Sequence, residues 1–299
     1  MRVNPQYMND LVSSLDATSS TEQTLTEELA SGSQVNSLSD DPVAVGQNVL
    51  LSAQIAAADT FSQTASTTQS MLQVSDSVLG SVVSELTSAI SLATEANNGT
   101  LNASDLESIG NQLAGIRNEV LSLANTTYLG QYVFSGSQGG TAPYTLDTST
   151  SPAVVTYQGD TDVTYLETPT GQKIQLNVPG SQIFSASGTD VLGTLNALVA
   201  DFSSGTPSST AEADTSALDT ALSYVTQQRV TVDNSLSQIS AAETYTQSEQ
   251  TQLTAAQTNL LQADVGQIAT QLSTAETQQT ALSQVIATLG QQSLFNDLQ

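Results

Sequence analysis

Apolar residues recur along the C-terminal part of the chain at alternating steps of four and three. Leu261, Val265, Ile268, Leu272, Ala275, Gln279, Leu282, Ile286 and Leu289 form this seam, with Gln279 its sole polar occupant. Such spacing lets one helix bury a stripe against another. Gln, Thr, Ser and Ala fill the intervening positions without Pro, so a helix is expected over 261–289. A seam this narrow needs a partner. Met8, Leu11, Leu15, Thr18, Glu22, Leu25 and Leu29 repeat the spacing near the other end, also without internal Pro or Gly. The matching seams predict first and last helices that lie together; the alternative is that each packs on a central core.

Between them the pattern is helical, then strand-like, then helical. Gly32 reads as the residue that ends the first helix, and Asp41-Pro42 as an N-cap followed by Pro at the first helical position. Asp40 and Asp41 are read as cap and dipole partners rather than as a calcium or acid–base pair. From Val43 to about Asn97 a long helix or a broken pair is predicted, with Phe61, Ala65, Thr68, Leu72, Ser75, Leu79, Val82, Leu86, Ala89 and Ala93 on its seam. Ser104-Asp105-Leu106-Glu107 reads as a capping box opening a helix through Leu106, Ile109, Leu113, Ile116, Val120 and Leu123. After Asn125 the period shortens. A β insert is expected over 138–187, with a hairpin from Val154–Tyr157 through Gly159-Asp160 to Val163–Leu166. Gly136 to Gly140 lacks the Lys-Ser/Thr of a phosphate loop and reads as a linker. Helices resume at Val191 to Phe202 and, after a loop over 203–214, near Ala217.

The fold class expected is mainly α with a small β insert, an antiparallel bundle of long helices whose N- and C-terminal coiled-coil helices pair. The organisation expected is an assembly helix over 1–40, helical segments over 41–137 and 188–252 flanking the insert, and a second assembly helix over 253–299. In such a bundle the insert would lie at one tip and the termini at the other.

Charge narrows the function. Lys plus Arg number 4 against 29 Asp plus Glu, a net charge of −25. Arg2, Arg117, Lys173 and Arg229 cannot neutralise a run of phosphates, so neither nucleic acid nor an anionic membrane surface is an expected partner. Only 11% of residues are charged, which predicts polar packing with few salt bridges. The absence of Cys and His removes thiol and imidazole chemistry. No run approaches the roughly 18 apolar residues of a membrane span, and no basic then apolar leader is visible, so export would not use a cleaved signal. Carboxylate hydrolysis by Asp147, Asp160, Asp162 or Glu167 survives as a minor alternative, although acids in β turns are usually turn formers. No catalytic residue, cofactor or metal is expected.

Several motifs carry a family likeness. Leu29-Ala30-Ser31-Gly32, Val35-Asn36 and Ser39-Asp40-Asp41-Pro42 resemble the N-terminal signature of the flagellin superfamily, in its hook-associated form. Asn98-Gly99-Thr100-Leu101, Leu123-Ala124-Asn125, Tyr132-Val133-Phe134-Ser135-Gly136, Gln278-Gln279-Thr280-Ala281-Leu282 and the ending Ser293 to Leu298 are similar to the same branch. Ser33, where a basic residue is common, and Gly266 in Asp264-Val265-Gly266 differ from the pattern. The resemblance implies a structural subunit of the bacterial flagellum, exported and extracellular, joining hook to filament; the alternative is the filament subunit itself. It also implies self-association in a ring, contact with the first junction protein on the hook side and flagellin on the filament side, and an export chaperone. The expected assembly interface is Met8, Leu11, Leu15, Leu25, Leu29, Leu261, Val265, Ile268, Leu272, Leu282, Ile286 and Leu289. The motif corner is Gly32, Asn36, Asp40, Asp41 and Pro42.

Overall fold

The structure, a computed structural model, describes residues 5–150 and 153–297. Arg2 and the side chains of the Ser293–Leu298 ending fall outside the described residues. The chain opens with α1 (Pro5–Ser31), α2 (Pro42–Asn97) and α3 (Ala103–Ala124). Short strands follow: β1 (Thr127–Tyr128), β2 (Gln131–Tyr132), β3 (Tyr144–Asp147), β4 (Val154–Tyr157), β5 (Tyr165–Glu167) and β6 (Lys173–Gln175). Then come α4 (Gly180–Ile183), β7 (Ser185–Ala186), β8 (Thr189–Asp190), α5 (Val191–Ser203), α6 (Ala211–Leu261) and α7 (Val265–Asp297). This is the mainly helical protein with a small β part that the periodicity predicts. The chain divides into two compact units, one of residues 58–247 and one of the segments up to Ala57 and from Ser248 onward.

In the 58–247 unit the α2 seam is buried along its whole length, from Phe61 and Ala65 through Leu79, Val82 and Leu86 to Ala93. α2 is one unbroken helix rather than a broken pair, because no Pro or unsatisfied polar group interrupts that stripe. Ser75 is buried on it, and its hydroxyl donates to Met71 O at 3.0 Å. A window of α2 reaches a mean hydropathy of 1.3 and so passes, by length and composition, the test for a membrane span that the sequence reading expected no segment to pass. A core helix passes the same test, and here Leu72 to Ala96 supply the packed core with residues of α3, α5 and α6. α3 packs on α5 through Leu106, Ile109 and Leu113. Gly110 allows the approach, since a Cβ there would lie 3.1 Å from Ser203 N.

Three local expectations change. The N-cap of α3 is Asn102, not Ser104: Asn102 is extended and its Oδ1 accepts from Asp105 N at 3.0 Å, so the helix begins before the capping-box motif. α6 begins at Ala211, inside the segment read as a loop. The 154–166 hairpin does not form. β4 pairs instead with β3, Tyr144 opposite Tyr157 and Asp147 opposite Val154, while β5 pairs with β6, Tyr165 opposite Gln175. Asp160 is diverted from the expected turn: its Oδ1 accepts from Ser137 N at 2.8 Å and Asp162 N at 3.1 Å, its other oxygen meets the Ser137 hydroxyl, and the Tyr157 hydroxyl lies 2.7 Å from its carbonyl. These bonds tether 158–162 to the Gly136 loop, where Gly136 has φ +72° and a Cβ would collide with Asp160. The loop is therefore a structural joint. Phe134, Tyr144, Tyr157 and Phe184 close the small core beside it, with Phe134 and Phe184 edge to face at 5.4 Å between centroids.

Candidate functional site

In the other unit α1 and α7 pack against each other. Their direction is antiparallel: Ala263 N, just before α7, donates to Gly32 O at 3.0 Å, and further along α1 Leu25 clusters with Ala263, Ile268 and Leu272. Thr21 and Leu25 also line a groove with Thr270, Thr274, Ala275 and Gln278. Leu25 and Ile268 are buried, whereas Met8, Leu11, Leu15, Leu272, Leu282, Ile286 and Leu289 are half-buried. The seam is real but thin.

Three seam residues do not sit as the spacing predicts. Leu261 is half-buried but ends α6, so 261–289 is not one helix. Gln262–Asp264 interrupt it, and Asp264 Oδ1 caps α7 by accepting from Gly266 N at 3.0 Å and Gln267 N at 3.1 Å. The helical phase restarts there, leaving Val265 55% exposed while Ala263 and Ile268 take the inward positions. Leu29 is 39% exposed, because the chain opposite the end of α1 is the extended 262–264 segment and offers no helix face to fill.

The motif corner locks onto that interruption. Ser33 and Gln262 form an antiparallel bridge, Gln34 N donates to Leu261 O at 2.8 Å, and Gln34 Nε2 donates to Leu260 O at 3.0 Å. The last carbonyls of a helix have no intrahelical donors, and here Gln34 supplies them. Gly32, at φ +69°, ends α1 with its N–H on Glu28 O at 2.9 Å. Asp40 Oδ2 accepts from Asn36 N at 3.0 Å and Ser37 N at 2.7 Å, and Oδ1 accepts from the Ser37 hydroxyl at 2.7 Å. The Ser37 hydroxyl, followed by the two amides, holds the Asp40 carboxyl below its ordinary range. Asn36 Nδ2 donates to Ser33 O at 3.1 Å. Asp41 Oδ1 accepts from Val43 N and Ala44 N at 2.9 and 3.0 Å, with Pro42 opening α2. The start of α2 meets the end of α6 through Gln257 Nε2, which donates to Asn48 Oδ1 at 2.7 Å and Ser52 Oγ at 2.8 Å.

The role of Gln34, and the inward turn of Ala263, lie outside what periodicity could show. So does Arg117 in the other unit, 9% exposed, with its guanidinium on Asn196 Oδ1 and Asn118 Oδ1 and its pKa pushed down by burial. Among the described residues one ion pair forms, Arg229 Nε to Asp76 Oδ1 at 2.5 Å.

Of the acids weighed for hydrolysis, Asp147 and Glu167 end the strands β3 and β5, and Asp160 and Asp162 lie in the connection between β4 and β5. Asp147 Oδ1 accepts from Ser149 N at 2.8 Å, Asp160 is tied to Ser137, and Glu167 stands opposite Lys173 across β5 and β6. Among the described residues no group of three or more His, Cys, Asp or Glu is placed to hold a metal ion. The α1–α7 pair offers helix faces and exposed apolar side chains, a surface for packing.

Comparison with known proteins places that surface in context. Residues 4–139 match the bacterial flagellin N-terminal helical region. The chain is 33% identical over 205 residues to flagellar hook-associated protein 3 of Salmonella typhimurium and 28% identical over 199 residues to that of Escherichia coli, 64% of this chain in each case. It spans 62% and 63%, respectively, of the length of these relatives. Its fold is similar to that of a provisionally named flagellar hook-associated protein from Vibrio parahaemolyticus, with a TM-score of 0.65 at 22% identity, covering 75% of this chain and 100% of that one.

Proposed function

We propose that this chain, whose residues 4–139 match the bacterial flagellin N-terminal helical region, is a structural subunit of the flagellum that joins hook to filament. The observation that carries the reading is the thin α1–α7 pair. Its seam closes on Leu25, Ala263, Ile268 and Leu272, while Tyr7, Val12, Leu29, Val265 and Val285 on the same helices stay exposed. Two helices sharing one seam bury little surface and are marginal alone, so packing against neighbouring subunits would complete them. Met8, Leu11, Leu15, Leu25, Leu29, Val265, Ile268, Leu272, Leu282, Ile286 and Leu289 then form the assembly surface, and Leu261 with the Gly32–Pro42 corner fixes its geometry. The likeness to hook-associated protein 3 supports a place between the hook-side junction protein and flagellin, with copies of this chain arranged in a ring. Export as an extracellular subunit, with a chaperone covering the terminal helices, belongs to the same reading.

Image reconstruction of filaments carrying the tagged full-length protein tests it. Label confined to a short zone at the hook end is expected; label along the whole filament would move the assignment to flagellin.

A further inference from the structure

The first part of α2, residues 42–57 in the unit that holds α1 and α7, carries more apolar surface than it buries. Ala44, Asn48, Leu51 and Ile55 form its inward stripe: Ala44 is buried, the other three are half-buried, and Asn48 Oδ1 accepts from Gln257 near the end of α6. A second stripe, Val43, Gly46, Leu50, Ala53 and Ala57, repeats the three-four spacing on the far side of the helix and is exposed throughout. Val43 and Leu50 are 69% and 66% exposed, and Val49 on the flank is 61% exposed. One apolar stripe serves a helix with one partner, whereas a helix apolar on two sides is suited to two. Gly46 points the same way. Helix interiors disfavour Gly relative to Ala, and a Cβ at Gly46 would meet nothing within 4 Å, so no close contact among the described residues requires a glycine there. On an exposed stripe, a glycine lets a second backbone come close.

We propose that this exposed stripe is a second assembly contact, one that rests on the flagellar reading above, and that it receives α7 of a neighbouring copy of this chain. Charge identifies the occupant. Residues 42–57 hold no charged side chain, and from Val265 to Leu289 Glu276 is the one charged residue, whereas α1 carries Asp10, Asp16, Glu22, Glu27 and Glu28. Among the described residues of this unit there is no Lys or Arg, so two copies have no ion pair with which to join there. Like charges facing each other across an interface are unfavourable, and an equally acidic copy is tolerated where both faces are neutral. A basic partner would instead be drawn to α1. Val265 and Val285 are the large apolar side chains that α7 leaves exposed. Size sets when the contact forms. Each partner of a stable complex buries about 800 Å², and a single stripe of about four helical turns offers less than that, so it does not hold two free subunits together. The stripe acts where the α1–α7 surface is also engaged, and joining the assembly then takes two contacts rather than one.

The test uses the tagged full-length protein and reads incorporation at the hook end per secreted molecule, which separates a defect in assembly from one in export. Gly46→Ala is expected to leave the thermal midpoint of the free subunit unchanged or slightly raised, yet to lower incorporation several-fold. Leu50→Asp should lower incorporation at least as much with the midpoint unchanged. The absence of Cys allows a direct check of the occupant. Copies carrying Leu50→Cys, mixed with copies carrying Val265→Cys or Val285→Cys and mildly oxidised, should form a mixed disulfide with one of the two when assembled and with neither as free subunits. Variants that incorporate like the parent would overturn the α2 contact and leave the flagellar reading intact; parent label along the whole filament would overturn that reading itself. Leu50→Cys copies that link to one another, or to neither α7 position, would overturn α7 as the occupant. A loss confined to secretion, with normal incorporation per secreted molecule, would assign the stripe to an export chaperone and overturn the proposal.

Discussion

Asn125 joins a helix end to a strand with one side chain. Its Nδ2 donates to Tyr144 O and its Oδ1 accepts from Tyr144 N, both at 2.9 Å, so the amide does for β3 what a neighbouring strand would do. Tyr144 is buried at the centre of the aromatic cluster, and burial pushes its phenol above the ordinary tyrosine range. Asn125→Ala would leave both backbone groups of Tyr144 without protein partners. Each unpaired buried group costs about 1–3 kcal/mol, so a loss of about 2–5 kcal/mol is expected in denaturant unfolding. A loss of a few tenths would mean that water replaces the amide. Asp is a poorer replacement than its shape suggests, because an ionised carboxylate has no donor for Tyr144 O.

Among the elements, α7 carries the sharpest contrast. Ile268 and Val265 share one seam by spacing, yet one is buried against Leu25 and the other is exposed. Ile268→Asp places an unpaired charge between α1 and α7 and is expected to cost about 3–5 kcal/mol, read as lost helix signal from that pair. Val265→Asp should change the isolated subunit by no more than about 0.5 kcal/mol, the usual range for exposed positions. If Val265 faces a neighbouring subunit, the same variant will nonetheless assemble poorly. Equal effects of the two substitutions on the isolated chain would show that the helical phase does not restart at Asp264.

For the molecule as a whole, burial is unevenly shared. The 58–247 unit holds the long α2 seam together with Phe134, Phe184, Phe202 and the buried residues of α5, whereas the cluster between α1 and α7 rests on Leu25, Ala263 and Ile268. Local stability follows buried apolar contact, so the terminal pair should open well before the larger core. Amide exchange should be fastest in α1 and α7 and slowest along α2 from Leu72 to Ala93. Equal protection in the free subunit would mean that the pair is complete without neighbours, which would remove the physical ground for assembly through it.

Periodicity determined the elements whose partners lie along an unbroken stripe. The α2 seam is an example, because a helix whose apolar residues recur every three or four positions buries the same face wherever its partner stands. The Gly32 ending and the Asp41-Pro42 start were equally legible, since caps bond to backbone a few residues away. Composition alone limited the chemistry: a chain without Cys or His and with 4 basic residues has few ways to be a metal, thiol or nucleic-acid protein. Tertiary structure decided the rest. Gln34 meets Leu260 from 226 positions away, and that contact accompanies the break at which α7 restarts its phase. β4 pairs with β3 rather than β5 while Asp160 is drawn to Ser137, a hydrogen bond across 23 positions that a strand's own alternation does not encode. A local pattern specifies which face a segment buries; where a second segment supplies the missing donor or acceptor, only the folded chain determines the pairing.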